Sequence, residues 1–301
     1  MRLTTLCILV LAALQGSACT REAVPGPFDG ERALGYVRTF MDFGPRVPGT
    51  EAHRRAGDWI ATEMRMRADT VYEQTWTHAT QAGNPIPLRN VVARFNPSAA
   101  ERGLYVTHWD SRPVAYKSIS DADKRLPTPG ANDGGSGVGL FLALGDLLKA
   151  TPPASGVDLV FVDGEDYGTF APDVDVLLGS TYFASNLPSA NYMPLFGVVW
   201  DMIGETDLRI PQEDHSLSRA PEVVQRVWRT AADLGYGNVF VPATTMAITD
   251  DHLPLLDKGL RVIDVIDLDY LHHHTVNDTF DKLSARSLKI VGDVAWKLLQ
   301  R

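Results

Sequence analysis

Cysteine is almost absent from this chain of 301 residues, with Cys7 and Cys19 the only two. That scarcity excludes a disulfide framework and a cysteine-built metal site. Long apolar runs are lacking too: the longest, Leu6–Leu14, has nine residues, whereas crossing a bilayer takes roughly 18. Positive charge is in deficit. Twenty-eight Lys and Arg against 37 Asp and Glu leave a net −9, so a nucleic-acid partner would find no electrostatic footprint. No internal repeat or low-complexity run is visible. What remains, 45% hydrophobic and 22% charged, is the composition of an ordinary globular protein rather than a disordered one.

The one apolar run sits behind Arg2 and ends at the small residues Gly16-Ser17-Ala18, the pattern of an export signal over residues 1–18. Cleavage there leaves Cys19 first, which resembles a bacterial lipoprotein acylation site, although Gly16 stands where that motif carries a bulkier residue. The expectation is an exported protein, either secreted or a periplasmic or outer-membrane lipoprotein. Its only membrane contact would be a lipidated Cys19. Residues 19–27, with two prolines and no periodicity, read as a tether, and 28–301 as one domain.

Within that domain, Asp29 can cap a helix whose Leu34, Val37 and Met41 share a face, and Glu51 to Arg67 reads as a second helix. Val71–Trp76 and Leu88–Phe95 alternate like an antiparallel pair. Thereafter short apolar strands (104–107, 157–162, 196–200, 259–266) alternate with helices (134–150, 284–299). That order predicts an α/β three-layer sandwich with a central mixed, mostly parallel sheet flanked by helices.

Sites in such sheets form beyond the carboxyl ends of the strands. Here those ends carry His108 and Asp110, then Glu165 and Asp166, then Asp201; Asp133 precedes a helix, and His272-His273-His274 follows the last strand. A lone carboxylate at a strand end is ordinarily a turn or cap, but so many together point to a site. The glycines around Asp133 match neither a dinucleotide fingerprint nor a phosphate loop. Imidazole with carboxylate oxygens suits zinc, and of the neighbours Glu165 and Asp166 one can bind metal while the other moves protons.

His108-Trp109-Asp110-Ser111-Arg112, Gly130-Ala131-Asn132-Asp133, Asp163-Gly164-Glu165-Asp166, Asp201-Met202-Ile203-Gly204 and His274-Thr275-Val276-Asn277-Asp278-Thr279 occur in the order seen in the zinc aminopeptidase superfamily. They most resemble its type II glutaminyl cyclase branch. The resemblance implies a zinc held by Asp133, Asp166 and His274, a general acid/base at Glu165, and catalytic carboxylates at Asp201 and Asp250. His108, with Asp110 beside it, falls where a second metal or the support of the first would sit, and Trp109, Asp264 and His273 fall near the substrate. Asp250, in Thr249-Asp250-Asp251-His252, fills a position where the peptidases typically carry Ser. Asp264 and His273 depart from the His and Trp of animal cyclases, and Asp166 is one methylene shorter than the usual Glu.

The implied activity is a zinc-dependent glutaminyl-peptide cyclotransferase, acting on peptides or proteins with N-terminal Gln, with one Zn²⁺ per chain. The alternative is a zinc aminopeptidase with two Zn²⁺ and a metal-bound water. A catalytically silent binding module is a third reading.

Overall fold

A computed structural model describes residues 26–300; the expected export signal and Cys19 lie outside the described residues. The chain is anchored from the start of that range. Asp293 accepts the backbone N–H of Gly26 and of Phe28, each at 3.1 Å.

The elements run α1 (Gly30–Met41), α2 (Glu51–Arg65), β1 (Thr70–Ala79), β2 (Pro85–Phe95), β3 (Arg102–His108), α3 (Gly135–Ala150), β4 (Gly156–Val162), β5 (Thr169–Phe170), β6 (Asp173–Val174), α4 (Leu178–Ser185), β7 (Phe196–Asp201), β8 (Ile210–Gln212), α5 (Asp214–Arg219), α6 (Pro221–Asp233), β9 (Phe240–Thr244), α7 (His252–Asp257), β10 (Val262–Ile266) and α8 (Ala285–Leu299). Asp29 and Thr50 cap α1 and α2 through their side chains, satisfying amide groups that a helix start leaves without partners.

The main sheet has the order β1-β2-β4-β3-β7-β10. β1–β2 and β2–β4 pair antiparallel, while β4, β3, β7 and β10 are parallel. The expected sandwich is therefore present, with an antiparallel hairpin on one flank. Alternation sorts its side chains between two layers. Tyr105, Leu159, Phe161, Val198, Trp200, Ile263 and Val265 join the larger core with α1, α2, α3 and α8. Leu104, Val106, Val160, Val162, Val199 and Val262 face the opposite way, with Phe183 of α4 and Leu255 of α7.

Because four neighbouring strands are parallel, their carboxyl ends open on one edge of the sheet. Helix α3 crosses beneath that edge at backbone distance: a Cβ at Gly137 would overlap Thr107 Oγ1 of β3. Only glycine permits this approach. It brings the residues before α3 to the end of β3. α4, α5, α6 and the short β5–β6 and β8–β9 pairs fall in stretches where the sequence reading assigned no element.

Candidate active site

His108 ends β3 and Asp201 ends β7, while Asp133 enters from the turn before α3. His108 Nε2 lies 3.1 Å from Asp133 Oδ1 and 3.2 Å from Asp201 Oδ1. On the other side of Asp133, His274 Nε2 is 3.4 Å from Asp133 Oδ2 and 3.3 Å from Asp166 Oδ1. Asp133 thus lies between two imidazoles, and Asp166 joins it on the His274 side. All five side chains are buried.

Support for these groups comes from further polar residues. Asp110, with Nδ1 of His108 at 3.5 Å, accepts the backbone N–H of Glu165 (3.1 Å) and Asp166 (3.2 Å); in these bonds it steadies the turn after β4. Asp278 accepts the N–H of Asn132 (2.9 Å) and Asp133 (3.1 Å) and the hydroxyl of Tyr270 (2.8 Å). Arg112 pairs with Asp166 Oδ1 and donates to Gly168 O at 2.9 Å. The Tyr116 hydroxyl is 3.1 Å from His274 Nδ1, so Nε2 is the nitrogen turned toward the carboxylates. His274 itself has φ 57°, as Met202 has φ 46°, left-handed conformations uncommon for residues with a side chain and frequent at functional sites.

The donor set fits a metal. Asp133 Oδ2 and Asp166 Oδ2 are buried without a hydrogen-bond partner, and unpaired buried carboxylate oxygens are costly unless a cation compensates them. Two groups of ligand atoms each fall within 4.8 Å of one another: His108, Asp133 and Asp201, and Asp133, His273 and His274. Imidazole and carboxylate donors in this number match zinc. His273 has one nitrogen engaged, with Lys117 Nζ 2.9 Å from Nδ1.

A cavity of about 270 Å³ opens over this cluster, lined among others by Asp133, Glu165, Asp201, Asp250, His273 and His274, with Tyr116, Phe170 and Met246 as apolar wall. Electrostatics there follow from crowding. Burial, then the neighbouring charges of Asp166, Asp250 and Asp251, push the Glu165 carboxyl well above its ordinary range, beyond what His108 offsets. Burial raises Asp250 well above its range, followed by Asp201 and Asp251. Burial raises Asp201 as well. Burial opposes charge on His108, yet Asp201, Asp110 and Asp133 carry its pKa well above the usual value. The opposite balance holds at Asp133, where burial is outweighed by His108 and His274 and the carboxyl is lowered.

Two sequence expectations change. Trp109 does not face the cavity: it is fully buried, stacks on His53 at 4.4 Å between ring centroids, and donates from Nε1 to Arg89 O at 3.3 Å. Side chains alternate along a strand exit, so with His108 turned to the site its neighbour turns away. Asp264, within β10, is also fully buried; burial and the neighbouring Asp250 raise its carboxyl, and it is not part of the cavity lining that Asp250 joins. The sequence reading gave no role to Arg112, Tyr116, Asp278 or His53. Arg112 and Asp278 stand inside the quoted motifs, which was the available signal.

Parallel strands ending in a carboxylate–imidazole cluster, with a proton-holding carboxyl beside it, define a metal-dependent acyl-group enzyme scaffold. Residues 90–299 match Peptidase family M28, and the chain belongs to that family. Among solved structures it is similar to a Zn-dependent exopeptidase from Parabacteroides distasonis (34% identity, TM-score 0.89, covering 92% of this chain and 100% of that one). It is equally similar to a glutaminyl cyclase from Tannerella forsythia (37% identity, TM-score 0.87, covering 91% and 99%). A "Probable zinc metalloprotease" of Pyrenophora tritici-repentis is 32% identical over 170 residues, 53% of this chain and 32% of that protein. The chain thus spans about a third of the length of that curated relative.

Proposed function

We propose that the chain is a zinc-dependent glutaminyl-peptide cyclotransferase that converts the N-terminal Gln of peptides to pyroglutamate and releases ammonia. The observation that carries this reading is Asp250. It is a buried carboxyl lining the cavity beside Glu165 and Asp201, raised so that it retains a proton at higher pH than an ordinary carboxyl. Both reactions expel an amide nitrogen, so the discrimination is positional: the peptidases this chain resembles typically carry Ser where Asp250 stands, and the cyclases carry Asp. The likeness to the Tannerella forsythia cyclase supports the same reading.

Asp133, Asp166 and His274 would hold the zinc, Arg112 and Tyr116 fixing which atoms of Asp166 and His274 face it. A bound zinc supplies Lewis-acid polarisation of the γ-carbonyl. The chain's residues do the rest. Glu165 takes a proton from the substrate's α-amine as its nitrogen bonds to the side-chain carbonyl carbon (Cδ), and delivers a proton to the amide nitrogen as the Cδ–N bond to it breaks, releasing ammonia. Asp250 and Asp201 hold the departing nitrogen by hydrogen bonds. The nucleophile belongs to the substrate, so none is needed from the enzyme.

The test is a metal count with two substrates. One zinc per chain with ammonia released from a Gln-initiated peptide is expected. Two zincs with free amino acids released from a Leu-initiated peptide would replace the cyclase with an aminopeptidase. That second reading has its own support in the His108, Asp133 and Asp201 group and in the exopeptidase likeness. Inertness to both peptides would favour a silent binding module. Export and acylation at Cys19 belong to the proposal too; the intact mass of protein recovered from a bacterial envelope should match a lipid-modified chain beginning at Cys19, and an unmodified N-terminus refutes the acylation.

A further inference from the structure

We propose that His53 is a positioning residue that locks together the two turns carrying the proton-transfer machinery. The inference rests on the assignment of Glu165 as the base for its effect on turnover, but its geometry stands apart from that assignment. His53 lies in the first turn of α2, its backbone N–H given to the capping hydroxyl of Thr50 at 3.2 Å. Its ring is buried and does two things at once. Nε2 lies 2.8 Å from Asp163 Oδ1, in the turn after β4 that leads to Glu165. The ring plane stacks on Trp109, between His108 and Asp110, at 12° to the indole.

The joint is closed on every side. The second oxygen of Asp163 accepts the Arg89 N–H at 2.8 Å, and the Asp163 N–H goes to Asn90 Oδ1 at 3.1 Å. Trp109 returns a hydrogen bond to Arg89 O. Asp163 is fully buried, so its hydrogen bond with His53 Nε2 lies away from solvent. Asp110 then takes the N–H groups of Glu165 and Asp166. The imidazole, outside the active-site cavity, thereby braces from α2 the exits of β3 and β4, which the Trp109 N–H to Val162 O bond (3.1 Å) and Asp110 also join. None of the atoms it touches is a proposed metal ligand.

His53→Phe keeps an aromatic plane for Trp109 and removes the bond to Asp163. Three readouts separate positioning from plain structural support. First, hydrogen exchange at the Glu165 and Asp166 amides should accelerate by about ten-fold or more while β4 interior amides stay protected. Second, kcat should fall about ten- to a hundred-fold, the usual worth of a residue acting through another, with KM nearly unchanged. Third, in a Glu165→Gln background the same substitution should cost little further turnover.

Unchanged exchange at residues 165 and 166 overturns the proposal whatever the turnover does. Acceleration throughout the chain overturns it in favour of general support. Near-normal turnover of Glu165→Gln alone would sink the base assignment and not the positioning, which the exchange data judge separately. If His53→Phe does not fold, His53→Gln, which retains a donor for Asp163, is read by the same exchange experiment: protection restored at 165 and 166 upholds the hydrogen-bonded joint, and protection lost there refutes it.

Discussion

Asp250→Ser removes the group on which the choice of cyclase over peptidase turns. Asp250 is buried and its carboxyl accepts the N–H of Asp251, so the substitution deletes both that local side-chain-to-backbone bond and a proton-holding group at the cavity. Loss of one charge-assisted hydrogen bond to the departing nitrogen costs about 1.5–3 kcal/mol, or about ten- to a hundred-fold in turnover. Stability should not fall in step. After burial, Asp250 is among the groups that raise the Glu165 and Asp264 carboxyls, so its removal relieves part of the crowding there. The relief also has a direction in pH. With Asp250 gone, Glu165 loses its proton more easily, and the acid limb of kcat should move to lower pH. The assay is ammonia release from a Gln-initiated peptide across pH, alongside zinc content and thermal unfolding. A variant that folds, keeps its zinc and cyclises as fast as the parent would refute the reasoning and with it the preference for a cyclase.

Glu165→Gln should retain zinc and lose about 10²- to 10⁴-fold in turnover; near-parental turnover removes it as the base. His274→Ala should lose zinc in equilibrium dialysis because three protein ligands leave none to spare, whereas His272→Ala should keep it; the reverse pattern means the other histidine is the ligand. Burial and Asp267 raise the Glu205 carboxyl to about 7 from 4.5, so the folded chain holds there a proton that the unfolded chain has released. That group's contribution to stability is complete below about pH 4.5 and is lost as pH rises through about 7. Glu205→Gln should therefore melt higher than the parent near pH 8 and about equally near pH 4.5; equal melting at both would exclude the effect.

Much of the site was legible because of where parallel strands end. His108 and Asp201 are the last residues of β3 and β7, and a polar residue closing an apolar run announces itself. Helix α6 was missed although Pro221 at its start and Val223, Val227 and Ala231 on its buried face form a plain helical stripe. The supporting residues were different in kind. Arg112 meets Asp166 across 54 positions, His53 meets Asp163 across 110, and Tyr116 meets His274 across 158. Arg112 at least stood inside a quoted motif; nothing local distinguishes His53 or Tyr116 from a solvated residue until the fold brings its partner. Trp109 failed for a related reason: adjacency in a motif implied adjacency in space, and the pleat sends neighbours to opposite faces.

The crowded carboxyls have a thermodynamic consequence for how the protein takes up its metal. Glu165, Asp201 and Asp250 hold protons at a pH where an open carboxyl would not. A dication held beside them by Asp133, Asp166 and His274 would favour their ionised forms, so loading would be an exchange of ions rather than a simple addition, with protons leaving as the metal arrives. The heat of zinc binding should then vary with the ionisation enthalpy of the buffer, and apparent affinity should steepen with rising pH. Metal binding would therefore weaken as the surroundings of the protein become more acidic, making their pH a co-determinant of how much of the protein is loaded.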